Sequence, residues 1–444
     1  MVFNRSILNS KISAVALLGG SLALYFIWGY ESLRFEHSKL LLLYSLLFGG
    51  YYVIVKHSEI NENWLSCFAL LLRLLLLLAI PNLSQDFYRF IWDGRLILEG
   101  INPYLQSPNE LMISAPKLFP EMKVLHEGMG ALSARHYSNY PPIHQLPFIT
   151  AALLSKHSVL GSVVVLRLIL ISADFVVLVY GKKLLQKLKL KTRNIYWFIL
   201  NPLVVIELTG NLHFEGLMLC FFIMALYYTH TKKWYIAAVV MAMSIAVKLI
   251  PILSLPLFLN KLAWKKSVLF YLTTGSCLIL LFLPFVSVNF IDNYSSTINL
   301  WFSNFEFNAS LFYLLKGSFA KLTGLRLINS MGLVVLCFTA TQSTYLLIQK
   351  RRKTSELILA TLWLLCGYYF ISTTVHPWYI CSLLLLSVFT PYKFVLLWSY
   401  TLIFSYFAYS EFSVKESGLL LCLEYLPVFG MLIWELKRGK LSIN

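Results

Sequence analysis

Between Ser84 and Tyr104 the chain reads SQDFYRFIWDGRLILEGINPY, a density of carboxylates, guanidiniums and aromatic rings directly after the apolar run Leu65 to Leu83. Asp86 opens that stretch at the depth where lipid head groups meet water, and a carboxylate there can take a proton from a hydroxyl as a general base. Asp is also a favoured helix cap, and the two roles are compatible. An amphipathic helix starting at Asp86 and stopping near Gly100-Ile-Asn-Pro brings Tyr88, Arg89, Trp92, Asp93 and Arg95 together within about two turns. The rings suit the membrane interface and the arginines suit phosphate; without chemistry, the same residues make an interfacial helix with an aromatic belt. Lys248 lies between two apolar runs, where a lysine is costly and marks a functional path unless it snorkels to the interface. His213 and His376 are metal ligands by type, but neither has a neighbouring ligand at metal spacing, so no metal and no cofactor are expected.

The remainder of the chain must hold these groups at a membrane surface. Of 444 residues, 58% are hydrophobic and 13% charged, with a mean hydropathy of +0.71, which removes the chain from the soluble class. Apolar runs recur along the whole length, so the expectation is an all-α polytopic membrane protein of about 12–14 helices, some short or broken, forming a single membrane domain over 1–444. Two polar intervals interrupt it: a long loop over 84–144 carrying the amphipathic helix, and a second over 289–328. The stretch Trp234 to Leu259, interrupted by Lys248 and Pro251, reads as a hairpin of two short helices.

The formal net charge of +17 is first a topology signal, because Lys and Arg accumulate in cytoplasmic loops. Basic loops at Lys56, Lys182 to Arg193, Lys232–Lys233, Lys261 to Lys266, Lys350 to Lys353 and Lys437 to Lys440, with Arg5 before the first apolar run, put both termini inside and account for the charge without nucleic acid. In that threading Ser84 to His144, Gly210 to Glu215, Asn289 to Asn308 and His376 to Tyr379 reach the opposite side, as one site would require. The seven cysteines all lie in apolar runs and read as small buried hydrophobes. The first apolar run reads as a retained helix rather than a cleaved signal.

DFYRFIWDG, then GINPY, then YPPIHQLPF at Tyr140 to Phe148 resemble the pattern D-x-Y-R-Y-x-W-D-G, G-x-N-P-Y, Y-P-P-x-x-Q of bacterial membrane glycosyltransferases of the GT-C superfamily, in particular the family 87-like, polyprenyl-phosphate-mannose-dependent mannosyltransferases of glycolipid synthesis. NLHFEG at Asn211 to Gly216, KLIP at Lys248 to Pro251, FNAS before Leu311 and HPWY at His376 to Tyr379 resemble later family motifs in order. The resemblance implies transfer with inversion of a sugar, most readily mannose, from a polyprenyl-phosphate donor to a lipid or glycan acceptor at the outer face of a bacterial plasma membrane. Asp86 stands at the catalytic position. Arg89, Arg95, Lys248 and His376 are then expected to meet the donor phosphate. Tyr88, Trp92, Asp93, Asn102, Tyr104, Tyr140, Gln145, Asn211, His213, Glu215, Trp378 and Tyr379 are expected to bind substrate. Two positions depart from the pattern: Gln85 stands where relatives carry an acid, and Phe90 replaces a Tyr. Losing the acidic pair argues against a carboxylate-held metal and leaves Asp86 as the single base. A secondary transporter or polyprenyl-lipid flippase is the alternative class, since broken helices with intramembrane charges serve both.

Overall fold

The computed structural model describes residues 11–303, 305–316, 328–349, 353–410 and 413–441. Among them helices are the only regular elements, and two isolated bridges, Phe307 with Thr374 and Tyr409 with Val414, are the sole strand-like pairings. Among the described residues six helices are long and apolar enough to cross a membrane: His37–His57, Val159–Lys187, Trp264–Phe285, Ser330–Ile348, Thr354–Ile371 and Gly418–Gly439. Counting the bent pair Val204–Gly210 and Glu215–His230 as one span makes a seventh, and shorter apolar helices such as Trp234–Val247 and Phe394–Ala408 fill out the set. The chain is thus an all-α, polytopic membrane protein. Of the expected loop 289–328, residues 304 and 317–327 lie outside the described residues, as do Arg5 and Lys350 to Arg352; Phe290–Ser303 is helical.

By its contacts the chain divides into two compact units, one of Met1–Leu83, Leu170–His213 and Pro377–Asn444, the other of Ser84–Ile169 and Phe214–His376. In the first, helix Glu62–Leu75 is started by Asn61, whose side chain accepts from the Trp64 amide at 2.9 Å and satisfies a donor the helix cannot. That helix carries Arg73 into the interior, where its Nε donates to Asp174 at 2.7 Å and its two Nη groups donate to the carbonyls of Ala69 and Ile199. Thr209 adds a hydroxyl to the same carboxylate at 3.2 Å. Both charges are fully buried. Neither could be placed there alone, because an unpaired charge in this environment costs several kcal/mol.

In the second unit, helix Asp86–Leu98 lies between helices Met122–Ala134 and Pro142–Ser155. Gly94 permits the close crossing: a Cβ there would stand 2.6 Å from the Phe148 carbonyl carbon. Ser107 and Glu110 form a reciprocal capping box at Pro108–Ser114, and proline opens helices Pro108–Ser114 and Pro142–Ser155, where a missing N–H is harmless. The broken hairpin read from the sequence has a clear cause. Helix Trp234–Val247 ends at Lys248, whose backbone is extended, and Ile250–Asn260 continues as a 3₁₀ helix because Pro251 and Pro256 withhold the amides an α-helix would use.

Arg73→Met, which leaves the Asp174 charge buried without its ion pair, should destabilise the protein by about 3–5 kcal/mol. The expected reading is a thermal unfolding midpoint in detergent several degrees below wild type, with most of the loss recovered in Arg73→Met/Asp174→Leu. A double variant no more stable than the single one would contradict this account.

Candidate active site

Asp93, completely buried at the centre of the Asp86 helix, is the hub of the second unit's polar loop. Its Oδ1 accepts from Arg89 Nε at 2.7 Å, one helical turn earlier, and its Oδ2 accepts from the Ser138 hydroxyl at 2.5 Å. Gln145 donates to the same Ser138 oxygen at 3.0 Å and reaches toward Asp93 at 3.5 Å. Arg89 also donates through Nη1 to the carbonyls of Ser133 and His136, at 2.9 and 2.8 Å. A second clamp lies further along the same helix. Arg95 pairs with Glu121 and donates to the Ala152 carbonyl at 2.6 Å and to the hydroxyls of Ser155 and Ser162. Both guanidiniums are buried and donate within the protein, with Arg89 Nη2 left without a partner among the described residues, and their visible work is to fasten the loop.

The GINPY and YPP elements close on each other. Asn102 accepts from the Tyr104 amide at 3.0 Å and donates to the Phe285 carbonyl at 2.9 Å. Tyr104 hydrogen-bonds the Tyr140 carbonyl while its ring is boxed by Phe285, Phe290 and Tyr294. Trp92 is fully buried against Phe119. Phe90, the departure from the family pattern, explains itself: it stacks on Phe148 at 4.8 Å and meets Tyr140, His144 and Phe214, an apolar cage in which a phenol oxygen would require a partner. Gln85, the other departure, donates to the Met129 carbonyl at 3.1 Å beside Gly130, whose φ of +76° kinks the helix Met122–Ala134.

Against this interlocked background Asp86 stands out. It is the first residue of its helix and half-buried; its amide donates to Ser84 Oγ at 3.3 Å, while its carboxylate makes no hydrogen bond or ion pair among the described residues. The capping role is not taken up. Tyr88, also half-buried, lays its ring against Gly128, so closely that a Cβ on that glycine would fall 2.6 Å from it.

Three more expected residues belong to the same unit. Lys248 pairs with Glu215 at 2.5 Å; the lysine is 22% exposed and the carboxylate 3%. His144, buried, ties the loop to that neighbourhood through Nδ1 and the Val247 carbonyl at 3.1 Å and through its ring against Phe214 at 4.4 Å. His376 is held by the FNAS element. Phe307 exchanges backbone hydrogen bonds with Thr373 and Val375, Asn308 donates to the Val375 carbonyl at 3.3 Å, and the Phe307 ring lies 5.0 Å from the imidazole. Asn308 itself takes a left-handed φ of 49° to do so.

Asn211, His213, Trp378 and Tyr379 gather in the first unit around a residue that sequence reasoning missed, Glu207. It sits, fully buried, in the π-helix Val204–Gly210, an element rare in itself and frequent at functional sites. Asn211 Nδ2 donates to its Oε1 at 3.1 Å, the Tyr406 hydroxyl donates to the same oxygen, and His213 Nε2 lies 3.3 Å from its Oε2. The His213 ring stacks on Trp378 with centroids 3.6 Å apart and planes 15° from parallel, and Tyr379 meets Trp378 edge-on. A glutamate inside the run VVIELTG was the available signal, since an ionisable residue within an apolar span is a site by default.

Residues 12–264, more than half of the chain, match the family model described as alpha-(1->6)-mannopyranosyltransferase, N-terminal domain. Alpha-(1->6)-mannopyranosyltransferase B of Corynebacterium glutamicum is 23% identical over 155 residues, 34% of this chain and 24% of that relative. Alpha-(1->6)-mannopyranosyltransferase A of Mycobacterium tuberculosis is 24% identical over 182 residues, 41% of this chain and 33% of that relative. The aligned stretches thus span between a quarter and a third of the relatives' length.

The loop carries its own pH dependence. Burial, and then the guanidiniums of Arg135 and Arg89, hold the His136 imidazole below its ordinary value of 6.5. The unfolded segment therefore takes up the proton first, so this histidine's contribution is complete above the ordinary value and is lost as pH falls from there through the lower value of the folded state. Amide exchange across 84–144, corrected for intrinsic rate, should be less protected at about pH 5.5 than at about pH 7.5, and His136→Gln should flatten that difference. Equal protection at both values in the wild type would count against this.

Proposed function

We propose a function from one premise: the chain belongs to the alpha-(1->6)-mannopyranosyltransferase family. It transfers a mannosyl residue from a polyprenyl-phosphate donor to a glycan or glycolipid acceptor, at the outer face of the membrane and with inversion. Asp86 is the base. It takes the proton of the acceptor hydroxyl as that oxygen attacks the anomeric carbon, the bond from that carbon to the phosphate oxygen breaks, and polyprenyl phosphate leaves. Charge developing on the phosphate needs a cation within a water-poor site, where such contacts are strongest. Lys248 and His376 are assigned that role, because Arg89 and Arg95 are engaged within the loop. Glu215 orients Lys248.

The observation that carries this reading is the contrast along one helix: Asp93, Arg89 and Arg95 are buried and each is ion-paired within the protein, while the carboxylate of Asp86 is half-buried and uncommitted. A rigid helix whose first residue alone keeps an unpaired carboxylate is a positioned base.

Purified protein in lipid should move labelled mannose from synthetic polyprenyl-phosphate mannose to an α-mannoside acceptor. Asp86→Asn should lower kcat by about a hundredfold or more with an unchanged unfolding midpoint. Normal turnover in folded Asp86→Asn would remove the base. A wild type that transfers nothing yet moves the lipid between leaflets would replace the transferase with a flippase.

A further inference from the structure

Three local irregularities meet at His213: the π-helix that ends at Gly210, the left-handed backbone of Leu212 at φ 63°, and the buried carboxylate of Glu207. A leucine in that region is strained, and such strain persists only where surrounding structure over-determines it. Here the surroundings are explicit. The His213 amide donates to the Glu207 carbonyl at 3.1 Å, Asn211 Oδ1 accepts from the Leu83 amide at 3.2 Å, and Asn211 Nδ2 and Tyr406 both hold Glu207 Oε1. The carboxylate is locked, and its second oxygen is left to the imidazole.

Glu207 Oε2 and His213 Nε2 face each other at 3.3 Å, both buried and neither with a hydrogen-bond partner among the described residues. A buried carboxylate at that distance favours the tautomer with the N–H on Nε2 and restricts the rotation of the ring. The consequence passes to Trp378. A polarised imidazole lying parallel to an indole at 3.6 Å immobilises it, and Trp378 remains half-buried, so part of its surface is uncovered by protein. A flat, pre-oriented indole with Tyr379 edge-on beside it has the chemistry to receive the C–H face of a hexopyranose ring.

We propose that Trp378 is a hexosyl-stacking platform and that Glu207, acting through His213, is its positioning residue. This rests on the sugar-transfer reading for the class of ligand, and extends it to a carboxylate that touches no substrate. The ring received is either the donor's mannosyl group or a hexose of the acceptor, chemically the same surface.

Equilibrium binding to full-length protein in nanodiscs separates these, with polyprenyl-phosphate mannose, unglycosylated polyprenyl phosphate and α-1,6-mannobiose as probes. Trp378→Leu should weaken a sugar-bearing probe about tenfold and leave polyprenyl phosphate unchanged. Glu207→Gln keeps an oxygen for Asn211 and Tyr406 but removes the charge facing His213. It should weaken the same probe several-fold, and the double variant should be no weaker than Trp378→Leu alone, because the two act as one unit. Loss confined to the polyprenyl-linked sugar places the donor on the platform; loss on mannobiose places the acceptor there. Should Glu207→Gln fail to fold, Tyr406→Phe, which withdraws one donor from the same carboxylate, takes its place in the cycle. Additive losses, equal loss on unglycosylated lipid, or full affinity in Trp378→Leu would overturn the inference while leaving wild-type transfer intact. A wild type that binds no sugar-bearing probe and transfers nothing would overturn the transferase reading and the platform together.

Discussion

The second unit depends on one buried carboxylate. Asp93 collects Arg89 from its own helix and Ser138, backed by Gln145, from the far end of the loop, so elements 45 and 52 residues away are drawn to a single point. A buried carboxylate with both oxygens engaged is tolerable, whereas the same group with one partner removed is not, and this asymmetry gives the arrangement its specificity. Helix Asp86–Leu98 cannot rotate without breaking the pair with Arg89, nor slide without driving Gly94 against the Phe148 backbone. The orientation of Asp86 follows from residues that never need touch a ligand.

Such scaffolding explains why so many motif residues are buried. In D-x-Y-R-x-x-W-D-G, the Arg, Trp, second Asp and Gly are interior, and in G-x-N-P-Y and Y-P-P-x-x-Q the Tyr104 hydroxyl, Tyr140 carbonyl and Gln145 amide serve one another or their neighbours. Fidelity to a pattern in these positions preserves a fold as much as a chemistry. The one-position departures fit the same logic, Phe90 within an aromatic cage and Gln85 against the Gly130 kink.

Hydropathy and charge made the helical, polytopic class legible, because a membrane restricts a chain to few solutions. The Asp86 helix was legible too, its start and its Gly-Ile-Asn-Pro stop both written locally. The partners were not. Whether Arg89 faces a phosphate or an internal carboxylate depends on Asp93, Ser133 and His136 meeting in space, which spacing does not encode beyond the i, i+4 pair. Arg73, Asp174 and Glu207 escaped for the opposite reason: each is a lone polar letter in an apolar run, and a sliding hydropathy average erases what a single buried charge does.

The FNAS clasp has a consequence for biosynthesis. Every hydrogen-bond partner given above for Arg89, Asp93 and Arg95 lies between Arg89 and Ser162, so these two clamps can close as soon as that stretch has left the ribosome. His376 is different. Asn308 finds the Val375 carbonyl 67 residues later, after two long apolar helices have been made and inserted. At about 5–20 residues per second that is a delay of several seconds. During that interval a nascent chain already presents its Asp86 carboxylate while the histidine assigned to the leaving phosphate has yet to be synthesised. The order of synthesis thereby keeps an incompletely inserted chain from holding the proposed base and the histidine proposed for the phosphate together.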